Sequence, residues 1–163
     1  RLFAQLLQVA GRAGRHAEGG QVLIQTGYPD HCVYQTLLNN DFPAFADDLL
    51  AERQDTGLPP FTFQTLITAE AKSVQQALAF LLDIREQAAA ILTGEGEADA
   101  VRLYDPVPLR ILRVAHVERA QLLIESGSRP LLQRFLQQWL PQVQITGQKQ
   151  RMRYFIEVDP LEI

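Results

Sequence analysis

Two arginines three residues apart, Arg12 and Arg15, close the run Gln8-Val-Ala-Gly-Arg-Ala-Gly-Arg15. A guanidinium is always charged, and its rigid fork of N–H donors matches the oxygens of a phosphate. Beside a nucleoside triphosphate, such a group stabilises charge developing on the γ-phosphate, an effect worth ~10³–10⁵ in rate. Gly11 and Gly14 let the backbone pass close to a neighbouring surface, and Gln8 can position a nucleotide or a water. Arg12, Arg15 and Gln8 are therefore the candidate catalytic residues. Solvated arginines at a glycine-rich helix end are the plainer alternative. A chance match to the five positions of Q-x-x-G-R-x-G-R at a given start is rarer than about one in a million.

Two further sets of side chains suit anions. Arg110, Arg113 and Arg119, with His116 among them, and Lys149, Arg151 and Arg153 would form a phosphate-tracking groove if they met on one surface. Tyr104 or Phe155 could then stack bases. Arginines spaced along edge strands also serve simply as solvated charges that discourage aggregation. The second set, Ser128-Arg129-x-x-x-Gln133, places a cation and an amide one turn apart at a helix start. Free N–H groups already attract carboxylates there. A capped helix with an exposed arginine fits the same residues. His116 alone reads as structural, and Cys32 as a small buried or half-buried filler.

The elements that must position these groups follow from periodicity. Leu2, Phe3, Leu6, Leu7, Val9 and Ala10 predict an amphipathic helix over 2–10, stopped by Gly11. The continuous apolar run Gln21–Thr26, between glycines, predicts a buried strand of the parallel-sheet kind. Two short helices are expected over 30–39 and 43–53, separated at Pro43. After Thr56-Gly-Leu-Pro-Pro60 the pattern changes. Phe61–Ala69 predicts a strand, and Ser73-x-x-Gln76 a capping box opening a helix that ends at Gly94. Residues 100–125 predict strands around Pro106-Val-Pro108, ending in Gln121–Glu125. Ser128 is expected to cap a helix with Pro130 in its first turn and Pro141 as its stop. In the last strand Met152, Tyr154, Ile156 and Val158 face one way and Arg151, Arg153, Phe155 and Glu157 the other. The order β-α-β-β-α-β over 60–159 predicts an antiparallel or mixed sheet with both helices on one face, an α+β fold.

Composition leaves room for these elements. The 163 residues are 47% hydrophobic and 21% charged, the proportions of a globular domain. No apolar run approaches the ~20 residues that span a bilayer. One cysteine excludes an internal disulfide and a cysteine-based zinc site, and predicts a reducing cytoplasm. The net charge of −4 is unevenly spread. Residues 21–99 carry three basic and twelve acidic groups; residues 100–163 carry nine basic and six acidic. Basic ends thus flank an acidic middle. A start at Arg1, inside an amphipathic stretch, leads us to expect an N-terminal portion beyond it.

The run Gln8–Arg15 is similar to motif VI of superfamily 2 helicases. The blocks that follow resemble the PriA family of replication-restart helicases: Tyr28-Pro29, Leu37-Leu38, Asp41-Phe-Pro-Ala-Phe45, Ala51-Glu-Arg53, Leu58-Pro-Pro-Phe61 and Glu157-Val-Asp-Pro-Leu-Glu162. Asp105-Pro-Val-Pro108 stands where Gly-Pro-Val-Pro is usual, and Glu118 where an aromatic is common. The resemblance implies three regions: residues 1–27, ending a second RecA-like lobe; 28–59, a helical connector; and 60–163, a C-terminal domain resembling a small ribosomal-protein fold. It implies an ATP-dependent 3′-to-5′ DNA helicase, bacterial and cytoplasmic, that restarts stalled forks and assembles the primosome. Arg12 and Arg15 would then be arginine-finger and γ-phosphate-sensing groups. DNA contacts are implied for Arg110, Arg113, Arg119, Arg151 and Arg153. Arg129 and Gln133 would hold the C-terminal tail of single-stranded DNA-binding protein, with other primosome proteins as further partners. ATP and Mg²⁺ would be gripped by the full-length protein. The P-loop is absent from this chain, so the fragment itself is expected to be inactive, and zinc is expected upstream of Arg1. Two other readings stay open: a non-catalytic DNA- and protein-binding module, or the end of another superfamily 2 helicase.

Overall fold

Helical spacing of apolar residues in the first part of the chain produces three helices: α1 (Leu2–Ala13), α2 (Cys32–Asn39) and α3 (Phe42–Asp55). The computed structural model describes residues 2–13, 22–39, 41–95, 100–109 and 117–161. These fall into two compact units, Arg1–Thr56 and Gly57–Ile163. In the first unit Val33 and Phe45 are buried, and Leu6, Leu7, Cys32, Tyr34, Leu37 and Leu49 pack around them. Asp41 caps α3 by accepting from the Ala44 N–H at 3.1 Å, and Pro43 occupies the first turn, where its missing N–H costs nothing.

Two expectations for this unit fail. Gly11 does not stop α1, which runs on to Ala13. Glycine inside a helix costs only about 1 kcal/mol against alanine, and the alanines and arginine around it are strong helix formers. The buried strand over 21–26 is also not observed. Residues 22–26 form no ladder, and Leu23 is 94% exposed. An apolar run becomes a buried strand only beside a partner strand that satisfies its N–H and C=O groups, and none of the described residues supplies one.

The second unit begins with β1 (Phe63–Ala71), followed by α4 (Val74–Glu95), β2 (Arg102–Leu103), β3 (Val107–Pro108), β4 (Glu118–Ser126), α5 (Arg129–Gln150) and β5 (Arg153–Val158). The sheet order is β2-β4-β1-β5, with β3 also on β4, and every pairing is antiparallel. Each helical connection thus skips one strand, the split β-α-β arrangement twice over. Ile67, Ala69, Ala120, Leu122 and Ile124 project from one face of the sheet. They meet Ala77, Phe80, Leu81, Ile84 and Ala88 of α4, and Leu132, Phe135, Leu136, Trp139 and Val143 of α5. Trp139 is fully buried, stacks on Phe135 at 5.4 Å and donates from Nε1 to the Ile84 carbonyl at 2.9 Å, tying the helices together.

Pro141 does not end α5, which continues to Gln150. An interior proline costs about 3 kcal/mol. Here the apolar stripe resumes beyond it with Val143, Thr146 and Gly147, all buried, so packing carries the helix through. Gly147 lies against Tyr154 of β5: a Cβ there would stand 2.5 Å from the ring. Helix α5 closes at Arg151 in the left-handed conformation, φ 51°, with the Met152 N–H donating to the Gly147 carbonyl at 2.9 Å. Ser128 occupies the N-cap position without a side-chain cap bond; its own N–H donates to Ser126 Oγ instead. Ser73 does cap α4, accepting from the Gln76 N–H at 3.4 Å. The Val74 N–H donates to Glu118 Oε2 at 2.7 Å, so a carboxylate 44 residues away completes that helix start.

Candidate functional site

The face of the sheet turned away from the helices carries the polar side chains, and strand register decides which of them meet. Glu70 of β1 lies directly between Arg119 of β4 and Arg153 of β5. Arg119 reaches Glu70 Oε1 with Nε at 2.7 Å and Nη2 at 2.6 Å, and Arg153 Nε stands 3.2 Å from Oε2. The Glu70 side chain is only 6% exposed, whereas those of Arg119 and Arg153 are 49% and 73% exposed. One buried carboxylate therefore holds two cations that still face water. The next row sets Thr68 between Gln121, which donates to it at 3.2 Å, and Phe155, whose ring lies 5.2 Å from the Arg153 guanidinium. Phe155 is exposed.

Beside the arginines opens a cleft of about 630 Å³, lined by Glu70, Ala71, Lys72, Gln76, Ala79, Val117, Gln150, Arg151, Met152 and Arg153. Glu70 and Lys72 come from the end of β1, Gln76 from the start of α4, and Arg151 from the turn into β5. No ion pair joins Lys72 or Arg151 to a described carboxylate. Three basic groups, Lys72, Arg151 and Arg153, line the cleft against one lining carboxylate, Glu70, which Arg119 also contacts. That surplus suits an anion with several oxygens.

At the opposite end of β1 the balance differs. Arg129, at the first position of α5, pairs with Asp159 at 2.7 Å and lies 4.5 Å over the Phe63 ring. Asp159 has φ 52° and donates its N–H to the Gln64 carbonyl. Gln133, one turn along, is exposed. At this same end, Glu125 lies opposite Gln64 and accepts from Gln64 Nε2 at 2.8 Å and from Tyr104 Oη at 3.1 Å, with Arg102 at 3.9 Å. Tyr104 is engaged in this network, so of the two expected stacking groups only Phe155 stands clear. The Arg102 guanidinium holds its proton more firmly than a free arginine, through its hydrogen bond to Tyr104 first and the charges of Tyr104 and Glu125 next. Asp105 pairs with Arg85 at 3.1 Å.

The structure thus brings Arg119, Arg151 and Arg153 to one end of the sheet and leaves Arg129 at the other. Arg110, Arg113 and His116 lie outside the described residues, as does Arg15. Gln8 and Arg12 are exposed and four apart on α1, hence on one face of that helix, rather than in a glycine-broken turn. Sequence reasoning missed Glu70 and Lys72. Glu70 had a signal: its neighbours Thr68 and Ala69 already mark β1, but only the three-strand register reveals its partners. Among the described residues no group of three or more His, Cys, Asp or Glu is placed to hold a metal ion, and no helix is long and apolar enough to cross a membrane.

The Gly57–Ile163 unit defines an α+β domain of split β-α-β topology with a basic cleft at one sheet end. The profile of the primosomal protein N C-terminal domain matches residues 54–161, and the chain belongs to that family. Relatives named replication restart protein PriA align along nearly all of it: 37% identical over the whole chain in Haemophilus influenzae, 33% over 99% in Synechocystis and 28% over 97% in Bacillus subtilis. The chain covers 21%, 18% and 19% of those three proteins, so it spans about a fifth of their length.

Proposed function

We propose that this chain is the C-terminal part of a replication-restart DNA helicase, and that the Gly57–Ile163 unit grips the backbone of forked or single-stranded DNA at its basic cleft. The names of the relatives support the role in replication restart. The observation that carries the DNA reading is the pair of exposed guanidiniums on one buried carboxylate, with Lys72 and Arg151 beside them and an exposed aromatic ring in the next row. Backbone phosphates would occupy the cleft, and Phe155 would stack on a base. Such contacts are electrostatic and independent of sequence. Titrating the chain with labelled single-stranded and forked DNA at rising salt tests this. Binding should weaken steeply with salt and should weaken further when Arg119 and Arg153 are replaced by glutamine. Salt-independent binding, or none at low salt, contradicts it.

In the full-length protein ATP and Mg²⁺ would bind to residues outside this chain, with Arg12, Arg15 and Gln8 turned toward the γ-phosphate. The shared exposed face of Gln8 and Arg12 supports that placement. The chain carries no phosphate-cradling loop of its own, so the isolated chain should hydrolyse no ATP. Arg129 and Gln133 fit capture of the acidic tail of single-stranded DNA-binding protein, provided the tail displaces Asp159. Association with other primosome proteins belongs to the same reading, as does a bacterial cytoplasmic location.

A further inference from the structure

We infer that Glu70 is a positioning residue for phosphate binding: it locks Arg119 and Arg153 in the orientation that grips the nucleic-acid backbone, rather than merely neutralising them. The inference rests on the DNA reading above. Glu70 is nine-tenths buried on a strand paired on both sides, and each of its two oxygens is met by a different arginine. Arg119 uses both Nε and Nη2 on Oε1, which fixes the plane of its guanidinium. Arg153 approaches Oε2 through Nε, and its side chain is largely exposed, so the outer edge of its fork points to solvent. The Phe155 ring beside it limits rotation in the remaining direction. Free arginines lose several rotamers on binding; these two are ordered beforehand, which lowers the cost of gripping a phosphate. The fork also matches two phosphate oxygens at once, whereas an ammonium offers a point charge.

Two opposite signs separate this role from simple neutralisation. Glu70→Gln adds one positive charge to the chain. If Glu70 only masked the arginines, the variant would bind DNA more tightly. If Glu70 positions them, the variant binds more weakly despite the added charge. About tenfold is the expected loss, the scale seen when the group orienting a ligand-binding side chain is removed at metal sites. Arg153→Lys supplies a second variant that leaves the buried carboxylate its partner Arg119 and keeps the net charge.

The experiment measures binding of labelled oligothymidylate to the full chain across a salt series, for wild type, Glu70→Gln, Arg153→Lys, Arg153→Ala and the Glu70→Gln/Arg153→Lys pair, with thermal melts alongside. We expect Glu70→Gln and Arg153→Lys each to weaken binding about tenfold, and the pair to weaken it little more than either one, because both remove the same oriented fork. Wild-type affinity in Arg153→Lys, or tighter binding by Glu70→Gln, overturns the positioning role. If Arg153→Ala remains weak in that case, the DNA reading stands. Absence of wild-type binding at low salt removes the DNA reading and the role of Glu70 together. Should Glu70→Gln fail to fold, Arg153→Lys alone decides between charge and orientation.

Discussion

The two ends of strand β1 hold arginine–carboxylate contacts of different kinds. At the Glu70 end the carboxylate is buried, the arginines are two, and Lys72 and Arg151 add charge without a described acidic partner. At the Phe63 end Arg129 meets Asp159, both about half exposed, and Arg102 stands 3.9 Å from Glu125, so each arginine is matched one-to-one within the chain. A buried carboxylate between two cations is a fixed structural element that leaves positive charge over. An exposed one-to-one pair is adjustable and leaves none. The nine residues of a single strand thus join an anion-gripping end to a self-neutralised one.

Removing the arginines at each end should widen that contrast. Arg119→Ala with Arg153→Ala strands a buried carboxylate, which costs about 3 kcal/mol of unfolding free energy by urea denaturation. Arg129→Ala should cost under about 1 kcal/mol, because an exposed pair contributes little. Equal losses at the two ends would erase the distinction. Gly147→Ala, which forces a Cβ into the Tyr154 ring, should cost about 2 kcal/mol and shift β5 at the Arg153 end. An unchanged melting temperature would show that Tyr154 swings aside freely. Thr65 is fully buried on the core face, and its hydroxyl has no partner among the described residues. Thr65→Val should therefore stabilise by about 1 kcal/mol, and a decrease would reveal a bond that Thr65 does make. Least of all, Asp159→Asn should change stability by less than about 0.5 kcal/mol while freeing Arg129 for an acidic peptide. A calorimetric titration with such a peptide should then show tighter binding than the wild type.

The alternation of strands and helices in the second unit was legible, except that three strands rather than two stand between the helices, because the long elements each have their own period: alternation in Arg153–Val158, and a helical stripe from Ala77 to Leu92. Long-range compensation was not legible. Pro141 reads as a stop until Val143 and Gly147 are seen buried beyond it. Ser128 reads as a cap although its side chain makes no cap bond, and the helix start at Val74 depends on Glu118, far along the chain. The run after Gly20 reads as a strand because apolar residues imply burial, yet a strand also requires a neighbour. The candidate site divides in the same way. Arg119, Arg151 and Arg153 stand out as cations in a basic C-terminal stretch, but Glu70 lies in the acidic middle and acquires its meaning only when β4 and β5 pair on either side of β1.

The slope of DNA affinity against salt, compared between the two ends, probes the division most directly. Replacing Arg119 and Arg153 with glutamine should reduce the logarithmic slope by about two, one for each phosphate that is no longer neutralised. Arg129→Gln should leave the slope at the wild-type value. A slope unchanged by the first pair and reduced by Arg129→Gln would place the nucleic acid at the wrong end of the sheet.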